Sequence, residues 1–403
     1  MPISRLFSDT ANQTNRPLLP NIQADDSRWM PSLRSVLMTT VAMILVMSLL
    51  MVSSASIPFA QSKNLGDFYF FTHQLAYIVI GMMFGYVMYK TPLKITFRLD
   101  IILVAMFMCV LAIIYTVLAG SVINGSRRWI EIGGINFQPV EMAKLLMILF
   151  TADYLVRRSE EVRYSMAGFL RLAGIAGVLS LVIMLQPDFG SVVVIMGCTA
   201  AMMFVGGLPK RLLMIIMGIM TVGGFIGITS AQYRLKRVMS FLDPFDDLRN
   251  SDYQLGRSIV AFARGEWFGV GYGESVQKLS HLPEAHTDFL LAITGEELGF
   301  FGVMFLLFLQ LCLIATVMRI SFNALKRRQS RLSYFAFGVG VLFFGQVFVN
   351  AGMTMGMLPT KGLTMPFFSY GGSSMVVNLI IIGILLRILK ESPAIPPNES
   401  RYY

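Results

Sequence analysis

The sequence predicts an all-α protein that crosses a membrane with about ten helices and carries one large loop outside it. Of its 403 residues, 55% are hydrophobic and 14% are charged, whereas roughly a quarter are charged in an ordinary soluble domain. The hydrophobic residues form runs of about 20, the length that a helix needs to cross a ~30 Å hydrocarbon core. Short polar segments separate these runs, which indicates spanning helices rather than one soluble core.

The apolar runs define the predicted spans in chain order. They are 33–54, 70–89, 99–120, 142–156, 167–185, 189–207, 212–230, 288–318, 333–354 and 371–390. The chain therefore divides into an N-terminal tail, 1–32, a membrane domain, 33–390, and a C-terminal tail, 391–403. The N-terminal tail is polar, so we predict that the first span is retained rather than removed as a signal peptide.

The distribution of positive charge predicts the orientation. Most of the 33 Lys and Arg residues lie in the tails and in alternate connections between spans. The short connections on the other side hold Lys63, Arg127, Arg128 and Lys361. The positive-inside rule therefore places both termini in the cytoplasm. The formal charge of +10 then suits an anionic inner leaflet rather than nucleic acid.

One predicted outer loop, 231–287, is far longer than a simple connector. It contains a stretch with helical periodicity, Tyr253 to Arg264, and a glycine-rich stretch, Gly265 to Gly273. Long loops on a rigid scaffold often carry function. We therefore expect the functional site beside this loop.

Ionisable side chains within spans are costly and are functional candidates by default. Here they are Glu141, Lys144, Asp153, Asp188, Asp288, Glu296 and Glu297. Glu141 and Lys144 lie on one helix face, where an ion pair that braces the helix is as good an explanation as a direct role. Asp188 follows a proline and is expected to cap the next helix. Asp153 is expected to reach water at an inner helix end.

Asp288 is the strongest candidate for chemistry. The apolar stretch after it continues to Ile320, and a straight helix of that length would measure about 45 Å, more than the hydrocarbon thickness. This places Asp288 at the outer headgroups, where it can meet the polar head of a lipid substrate. Glu296 would lie about 12 Å deeper and Glu297 would face nearly the opposite side. The pattern therefore favours a single general base over a pair of carboxylates.

Two other outer segments offer groups for an anionic phosphate. The last junction, Met357 to Ser374, has prolines and glycines that preclude a plain helix end, and such backbone at membrane depth lines a cavity or is buried in protein. The candidates there are Lys361, Ser369, Gly371 and Gly372. A small-residue packing surface for the last helix explains the same glycines. Arg127 and Arg128 can clamp a phosphate, although the pair alone is a weak signal.

Two histidines, His281 and His286, flank Asp288. Together these three residues could ligate a metal, but their spacing matches no strong zinc pattern. We therefore predict no metal site, and we assign His286 and the nearby Glu284 as candidate polar contacts to substrate. Help from a divalent cation, Mg²⁺ or Mn²⁺, remains open.

Six segments of the chain match motifs of one family in order. They are Gly125–Ile130 (GSRRWI), Gln138–Lys144 (QPVEMAK), Gln186–Gly190 (QPDFG), Leu282–Phe289 (LPEAHTDF), Gly295–Gly299 (GEELG) and Ser369–Ser374 (SYGGSS). On these motifs the chain resembles the SEDS family of cell-wall polymerases from about Ser53 to Leu389. Leu358–Thr364 (LPTKGLT) and Ser275–Lys278 (SVQK) resemble the division-type members more than the elongation-type members.

The resemblance implies a peptidoglycan glycosyltransferase that polymerises lipid II at the division septum, on the periplasmic side of the inner membrane, with undecaprenyl diphosphate as leaving group. The family's essential aspartate matches Asp288, and its ion pair matches Glu141 with Lys144. The implied partners are the class B penicillin-binding protein FtsI and the division proteins FtsQ, FtsL, FtsB and FtsN. Two alternatives remain open: a lipid II flippase that uses Glu141, Glu296 and Glu297, and a non-catalytic division scaffold.

Overall fold

The computed structural model describes residues 32–123, 126–133, 135–229, 241, 245, 253–279, 282, 285–360 and 362–391. The helices are α1 Leu33–Ser62, α2 Tyr69–Lys90, α3 Leu93–Thr96, α4 Leu99–Ala119, α5 Pro139–Arg157, α6 Ser159–Tyr164, α7 Met166–Met184, α8 Phe189–Val205, α9 Lys210–Thr229, α10 Tyr253–Gly265, α11 Leu290–Lys326, α12 Ser330–Thr354 and α13 Gly372–Glu391. The strands are β1 Ser121–Ile123, β2 Ser126–Ile132 and β3 Ile135–Phe137.

The predicted class, a polytopic α-helical membrane protein, is confirmed. Seven helices in the described part of the chain are long and apolar enough to cross a membrane: α1, α2, α4, α7, α11, α12 and α13. Helices α5, α8 and α9 lie at the other three predicted spans. Leu118 and Leu181 expose 72% and 70% of their surface, as expected where the surrounding solvent is lipid. The count of ten spanning helices stays a prediction, as do the domain boundaries.

Helix α5 lies at the centre of the bundle, where it contacts α4, α7, α8, α12 and α13. Pro139 begins it, at the position where the missing N–H costs nothing. The helix is buried along most of its length, including Asp153, which is 3% exposed. The carboxylate of Asp153 pairs with Arg157 at 3.1 Å and with Arg331 at 3.3 Å. The expectation that Asp153 reaches water was therefore wrong, since it ties α5 to α12.

Helix α13 packs on α2 through glycines. A Cβ at Gly85 would lie 2.6 Å from the Leu379 carbonyl oxygen, and one at Gly383 would lie 2.1 Å from the Gly85 carbonyl oxygen. At the start of α13, a Cβ at Gly372 would lie 2.4 Å from the Tyr77 ring. Small residues thus allow the two backbones to touch, and Gly372 takes part in this packing.

The predicted outer loop between the third and fourth spans contains a small sheet that the sequence analysis did not predict. Strand β2 pairs antiparallel with β1 and with β3. Two of these strands have only three residues each, too few for a clear alternation of apolar and polar residues. The membrane domain is helical, and this sheet is an addition to it outside the spans.

The prediction of one straight helix after Asp288 was wrong. Helix α11 is interrupted at Gly299, whose φ of 67° and ψ of −165° lie in a region that only glycine occupies readily. The helix therefore consists of a short upper part, 290–298, and a long lower part, 300–326. The lower part alone measures about 40 Å and suffices to cross the hydrocarbon core. The predicted position of Asp288 near the outer headgroups thus does not require a straight helix.

The break in α11 is filled by the backbone of the glycine-rich stretch. The Val270 N–H donates to the Glu296 carbonyl at 2.9 Å, and the Phe300 N–H donates to the Glu266 carbonyl at 2.9 Å. A Cβ at Gly265 would lie 1.8 Å from the Gly295 carbonyl oxygen, so the two chains are in direct backbone contact. These bonds satisfy the polar groups that a helix break leaves without partners. We call residues 265–279 the clasp segment.

Candidate active site

Asp288 lies in the turn before α11, and it is half-buried. Its carboxylate faces the loop between α12 and α13, residues 355–371, which we call the final loop. A Cβ built on Gly362 would lie 2.9 Å from the Asp288 Oδ2 atom, so the carboxylate sits where any larger side chain at 362 would be. Asp288 therefore lies where two segments that are far apart in the sequence meet.

Asn350 of α12 connects the same two segments. Its Nδ2 donates to the Asp288 carbonyl at 2.9 Å and to the Leu363 carbonyl at 2.7 Å. Asn350 is 1% exposed, so these bonds are shielded from water. The backbone of Asp288 and that of the final loop thus share one hydrogen-bonding side chain.

The final loop enters the bundle, and its carbonyls bond to side chains of the surrounding helices. Gln310 of α11 donates to the Pro366 carbonyl at 2.9 Å. Ser48 of α1 donates to the Phe368 carbonyl at 2.7 Å, and Gln74 of α2 donates to the Ser369 carbonyl at 3.4 Å. Irregular backbone inside a membrane requires such partners, which supports the prediction that this junction is buried in protein.

Ser369 and Gly371 of the final loop and Gly372, the first residue of α13, also have structural roles. The Ser369 Oγ accepts a bond from the Met365 N–H at 3.0 Å. Gly371 lies against Thr364, since a Cβ there would be 3.3 Å from the Thr364 Cγ2. Gly372 packs on Tyr77, as described above. The roles of Ser369, Gly371 and Gly372 in substrate binding remain predictions.

His286 is buried among aromatic rings, and its role as a contact to substrate stays a prediction. Its ring centroid lies 4.8 Å from that of Phe59, 4.7 Å from that of Phe70 and 5.6 Å from that of Tyr370. The His286 carbonyl accepts a bond from the Tyr370 N–H at 3.2 Å. Burial raises the pKa of the Tyr370 phenol, so Tyr370 stays neutral in this cluster. His286 thus fixes the chain close to Asp288 against the final loop.

Three residues of the sequence analysis lie outside the described residues. They are Lys361, Glu284 and His281. Their proposed contacts to substrate or metal stay predictions. Among the residues that the structure describes, no three His, Cys, Asp or Glu side chains are grouped to hold a metal ion. Whether a divalent cation assists also stays a prediction.

The two arginines of strand β2 have separate partners. Consecutive residues in a strand point to opposite faces. Arg128 donates to the carbonyls of Gln186 and Pro187, both at 3.0 Å, and Arg127 donates to the Leu118 carbonyl at 3.2 Å. The structure therefore does not bring the two guanidinium groups together into one clamp.

The Gln186–Gly190 motif links Arg128 to the final loop. Asp188 caps α8, as predicted, by accepting from the Ser191 N–H at 3.2 Å and the Ser191 Oγ at 2.7 Å. A Cβ at Gly190 would lie 3.5 Å from the Leu363 side chain. Arg128 thus binds the motif that packs on Leu363, and Leu363 shares the Asn350 amide with Asp288.

The pair of Glu141 and Lys144 is present inside the bundle. Lys144 Nζ lies 2.8 Å from Glu141 Oε1, and the two side chains are 3% and 10% exposed. Both residues lie on α5, and the structure records no contact between this pair and Asp288. The geometry is that of an ion pair that neutralises two charges within the membrane domain.

Glu296 and Glu297 bind the clasp segment. Glu296 accepts from the N–H groups of Val276 at 3.1 Å and Gln277 at 3.2 Å. Glu297 accepts from Ser54 Oγ at 2.6 Å and from Lys278 Nζ at 2.8 Å. Both carboxylates are almost completely buried, and both hold the clasp segment on α11, while Glu297 also binds α1 through Ser54.

The sequence analysis missed Asn350 and Gly362. It considered ionisable residues within spans, and Asn350 carries no charge. The sequence did contain a signal for Asn350, since it is a neutral amide in an apolar run, four residues before the polar Thr354. Gly362 was part of a recognised junction, but its closeness to Asp288 depends on a contact between distant segments.

The fold and this site together define a polytopic membrane protein with one prominent carboxylate held between two loops. The pattern of the family described as "Cell cycle protein", which groups FtsW, RodA and SpoVE, matches residues 34–393. The chain belongs to the FtsW/RodA/SpoVE family. It is 41% identical over 383 residues to "Probable peptidoglycan glycosyltransferase FtsW" of Acinetobacter baylyi, which covers 92% of this chain and 94% of that one. It is 45% identical to the protein of the same description from Tolumonas auensis, over 84% of this chain and 88% of that one.

Solved structures share the fold. One, described as "Structural coordination of polymerization and crosslinking by a peptidoglycan synthase complex", is similar with a TM-score of 0.70 and 25% identity, over 88% of this chain and 97% of that chain. The crystal structure of the rod shape determining protein RodA of Thermus thermophilus is similar with a TM-score of 0.64 and 24% identity, over 90% of this chain and 98% of that one. The second likeness supports the fold alone.

Proposed function

We propose that this chain polymerises lipid II into glycan strands and that Asp288 is the general base. The broad activity, peptidoglycan glycosyltransferase, rests on the family and on relatives that align over nearly the whole chain. Asp288 takes the proton from the 4-hydroxyl of the acceptor sugar. The oxygen of that hydroxyl attacks the anomeric carbon of a donor sugar, and the bond from this carbon to the lipid diphosphate breaks.

The observation that carries this proposal is that Asp288 lies in the turn before α11 with its carboxylate against the final loop. The carboxylate occupies the space that a side chain at Gly362 would fill, and Asn350 donates to the carbonyls of Asp288 and Leu363. A general base must be held within hydrogen-bond reach of the proton that it removes. The backbone of Asp288 is held by Asn350, which supports this role, whereas Glu296 and Glu297 are engaged by internal partners.

The leaving group is a diphosphate, which departs as a stable anion, so no general acid is required. Positive groups that stabilise developing charge often supply the largest catalytic contribution. Lys361, Arg127 and Arg128 are the candidates for that role. A single displacement by one base inverts the configuration at the anomeric carbon.

The protein is a multi-pass protein of the inner membrane. We propose that it acts at the division septum, with both termini in the cytoplasm and Asp288 on the periplasmic side. We further propose that it works with the class B penicillin-binding protein FtsI and is regulated by FtsQ, FtsL, FtsB and FtsN. The similarity to a peptidoglycan synthase complex supports a partner of the penicillin-binding class.

The flippase alternative drew on buried acidic residues in the spans. In the structure Glu141 is paired with Lys144, Glu297 with Lys278, and Glu296 with the backbone of the clasp segment. These carboxylates are therefore committed to internal partners. Their arrangement favours a structural role over a path for a lipid headgroup.

The proposal is tested by incubating the purified protein, with its partner transpeptidase, with labelled lipid II and resolving the polymer on a gel. Asp288→Ala is expected to lower the rate by about 10²- to 10⁴-fold. The parent and the Asp288→Ala variant are also reconstituted in vesicles, in which lipid II transport is measured. Equal polymerisation by both proteins contradicts the assignment of the base. Transport by the parent without any polymer supports the flippase instead.

A further inference from the structure

We propose that Asn350 is a positioning residue that sets the distance between Asp288 and the final loop. This inference rests on the proposed role of Asp288 as general base. Asn350 itself does not touch the reacting atoms. It acts through the two backbone carbonyls to which its amide donates.

The geometry uses both hydrogens of the Asn350 amide. An asparagine NH₂ group has two donors, and here one points to the Asp288 carbonyl at 2.9 Å and the other to the Leu363 carbonyl at 2.7 Å. The two acceptors belong to segments that are separated by the whole of α11 and α12. One rigid, planar group therefore fixes the spacing of two loops.

This spacing matters because the two carbonyls adjoin the contact that Asp288 makes. Leu363 is the neighbour of Gly362, against which the Asp288 carboxylate lies. A shift of either backbone moves the carboxylate relative to the final loop. A misplacement of about 1 Å at a reacting group can lower the rate by about 10²-fold.

Asn350 is itself held on a fixed support. It lies within α12, one turn before the helix ends at Thr354. The Thr354 Oγ1 donates to the Asn350 carbonyl at 3.0 Å, and Ser258 of α10 donates to the Thr354 carbonyl at 2.7 Å. The amide thus projects from a helix end that is tied to the large loop, and it provides a stable reference point for both segments.

Gln310 provides a matched control. It is also a fully buried amide, and its Nε2 donates to the Pro366 carbonyl of the final loop at 2.9 Å. The structure records no bond from Gln310 to the backbone of Asp288. Loss of either amide removes a bond to the final loop, but loss of Asn350 also releases Asp288.

The experiment compares Asn350→Leu with Gln310→Met in the full chain with its partner, using lipid II polymerisation over a range of substrate concentrations. We expect Asn350→Leu to lower kcat by about 10- to 100-fold with KM changed by less than about threefold. Gln310→Met is expected to change kcat by less than about threefold. If Asn350→Leu does not fold, Asn350→Asp keeps the shape of the side chain, removes the amide donors and is expected to lower kcat similarly.

A second arm tests whether Asn350 acts through Asp288. Adding Asn350→Leu to Asp288→Asn is expected to cause no further loss of the residual rate, because the base is already absent. Equal losses in kcat for Asn350→Leu and Gln310→Met overturn the proposal. The proposal is also overturned if Asn350→Leu lowers the rate of Asp288→Asn by the same factor as it lowers the rate of the parent. A parent-like rate for Asp288→Asn alone instead overturns the assignment of the base, so the two failures are distinguishable.

Discussion

At the scale of single residues, Gly362 determines how much room the Asp288 carboxylate has. The Cβ atom of any other residue would lie 2.9 Å from the Asp288 Oδ2. That distance is shorter than an ordinary contact between a carbon and an oxygen atom. Glycine at this position therefore lets the carboxylate lie against the final loop. The site depends on this absence of a side chain as much as on the carboxylate.

Gly362→Ala is expected to displace the Asp288 carboxylate and to lower kcat by about 10- to 100-fold, with little change in the amount of folded protein. The measurement is the steady-state rate of lipid II polymerisation. Gly345→Ala is the control, since a Cβ at Gly345 has no heavy atom within 4 Å. An unchanged rate for Gly362→Ala shows that the contact with the final loop does not matter for catalysis.

Sequence reasoning at this scale found the charged residues readily and missed Asn350 and Gly362. Asp288 and the pair of Glu141 and Lys144 stood out because a charge in an apolar run is costly. Asn350 and Gly362 act through neutral contacts between segments that are distant in the sequence. No rule of local spacing brings those segments together.

At the scale of elements, the break in α11 replaces the long straight helix that hydropathy predicted. The predicted span runs through Glu296, Glu297 and Gly299, because one glycine in a long run does not by itself predict an interruption. The cause is Gly299 together with the clasp segment, whose backbone bonds to both sides of the break. The amphipathic helix that precedes the clasp segment was predicted from its periodicity, and α10, Tyr253–Gly265, confirms it.

Gly299→Ala is expected to destabilise the junction strongly. The backbone conformation alone costs about 1–3 kcal/mol for a residue other than glycine, and a Cβ would also lie 2.3 Å from the Gly269 nitrogen. Thermal unfolding in detergent measures the effect. Gly197→Ala serves as the control, because no atom lies within 4 Å of a Cβ there. Equal midpoints for the two variants contradict the described break.

The buried pair of Lys278 and Glu297 holds the clasp segment on α11. Lys278→Met leaves the Glu297 carboxylate buried without its cation, which typically costs about 3–5 kcal/mol. Arg98→Met is the matched control, because its pair with Asp100 is 60% and 58% exposed and such surface pairs contribute little. We expect denaturant or thermal unfolding to separate the two variants clearly. A similar loss of stability in both speaks against the clasp.

At the scale of the whole molecule, the class of fold and the positions of the seven long apolar helices of the described residues were predictable from hydropathy. Lipid replaces water around these helices, so long apolar runs mark them directly. The sheet β1–β2–β3 was not predictable, because its strands are short. The meeting of the turn before α11 with the final loop, and the packing of the clasp segment on α11, also had to come from the structure, since both depend on how the helices pack.

The predicted orientation is tested with Ser251→Cys and Ser400→Cys in a chain whose own three cysteines are replaced. A membrane-impermeant maleimide added to intact spheroplasts is expected to label position 251, in the large loop, and to spare position 400, in the C-terminal tail. Position 400 should react after lysis. Labelling of position 400 in intact spheroplasts contradicts the orientation and places Asp288 on the wrong side for periplasmic synthesis.

The central claim is that one carboxylate, Asp288, removes the proton during polymerisation. The most direct measurement is the single-turnover rate of lipid II polymerisation against pH for the parent and for Asp288→Asn, which keeps the shape of the side chain. The parent rate is expected to fall as the pH is lowered, because a base must be deprotonated to act. The variant is expected to be slower by about 10²-fold or more and to lack that fall. A variant that retains the same acidic fall, or the parent rate, contradicts the assignment of Asp288 as the base.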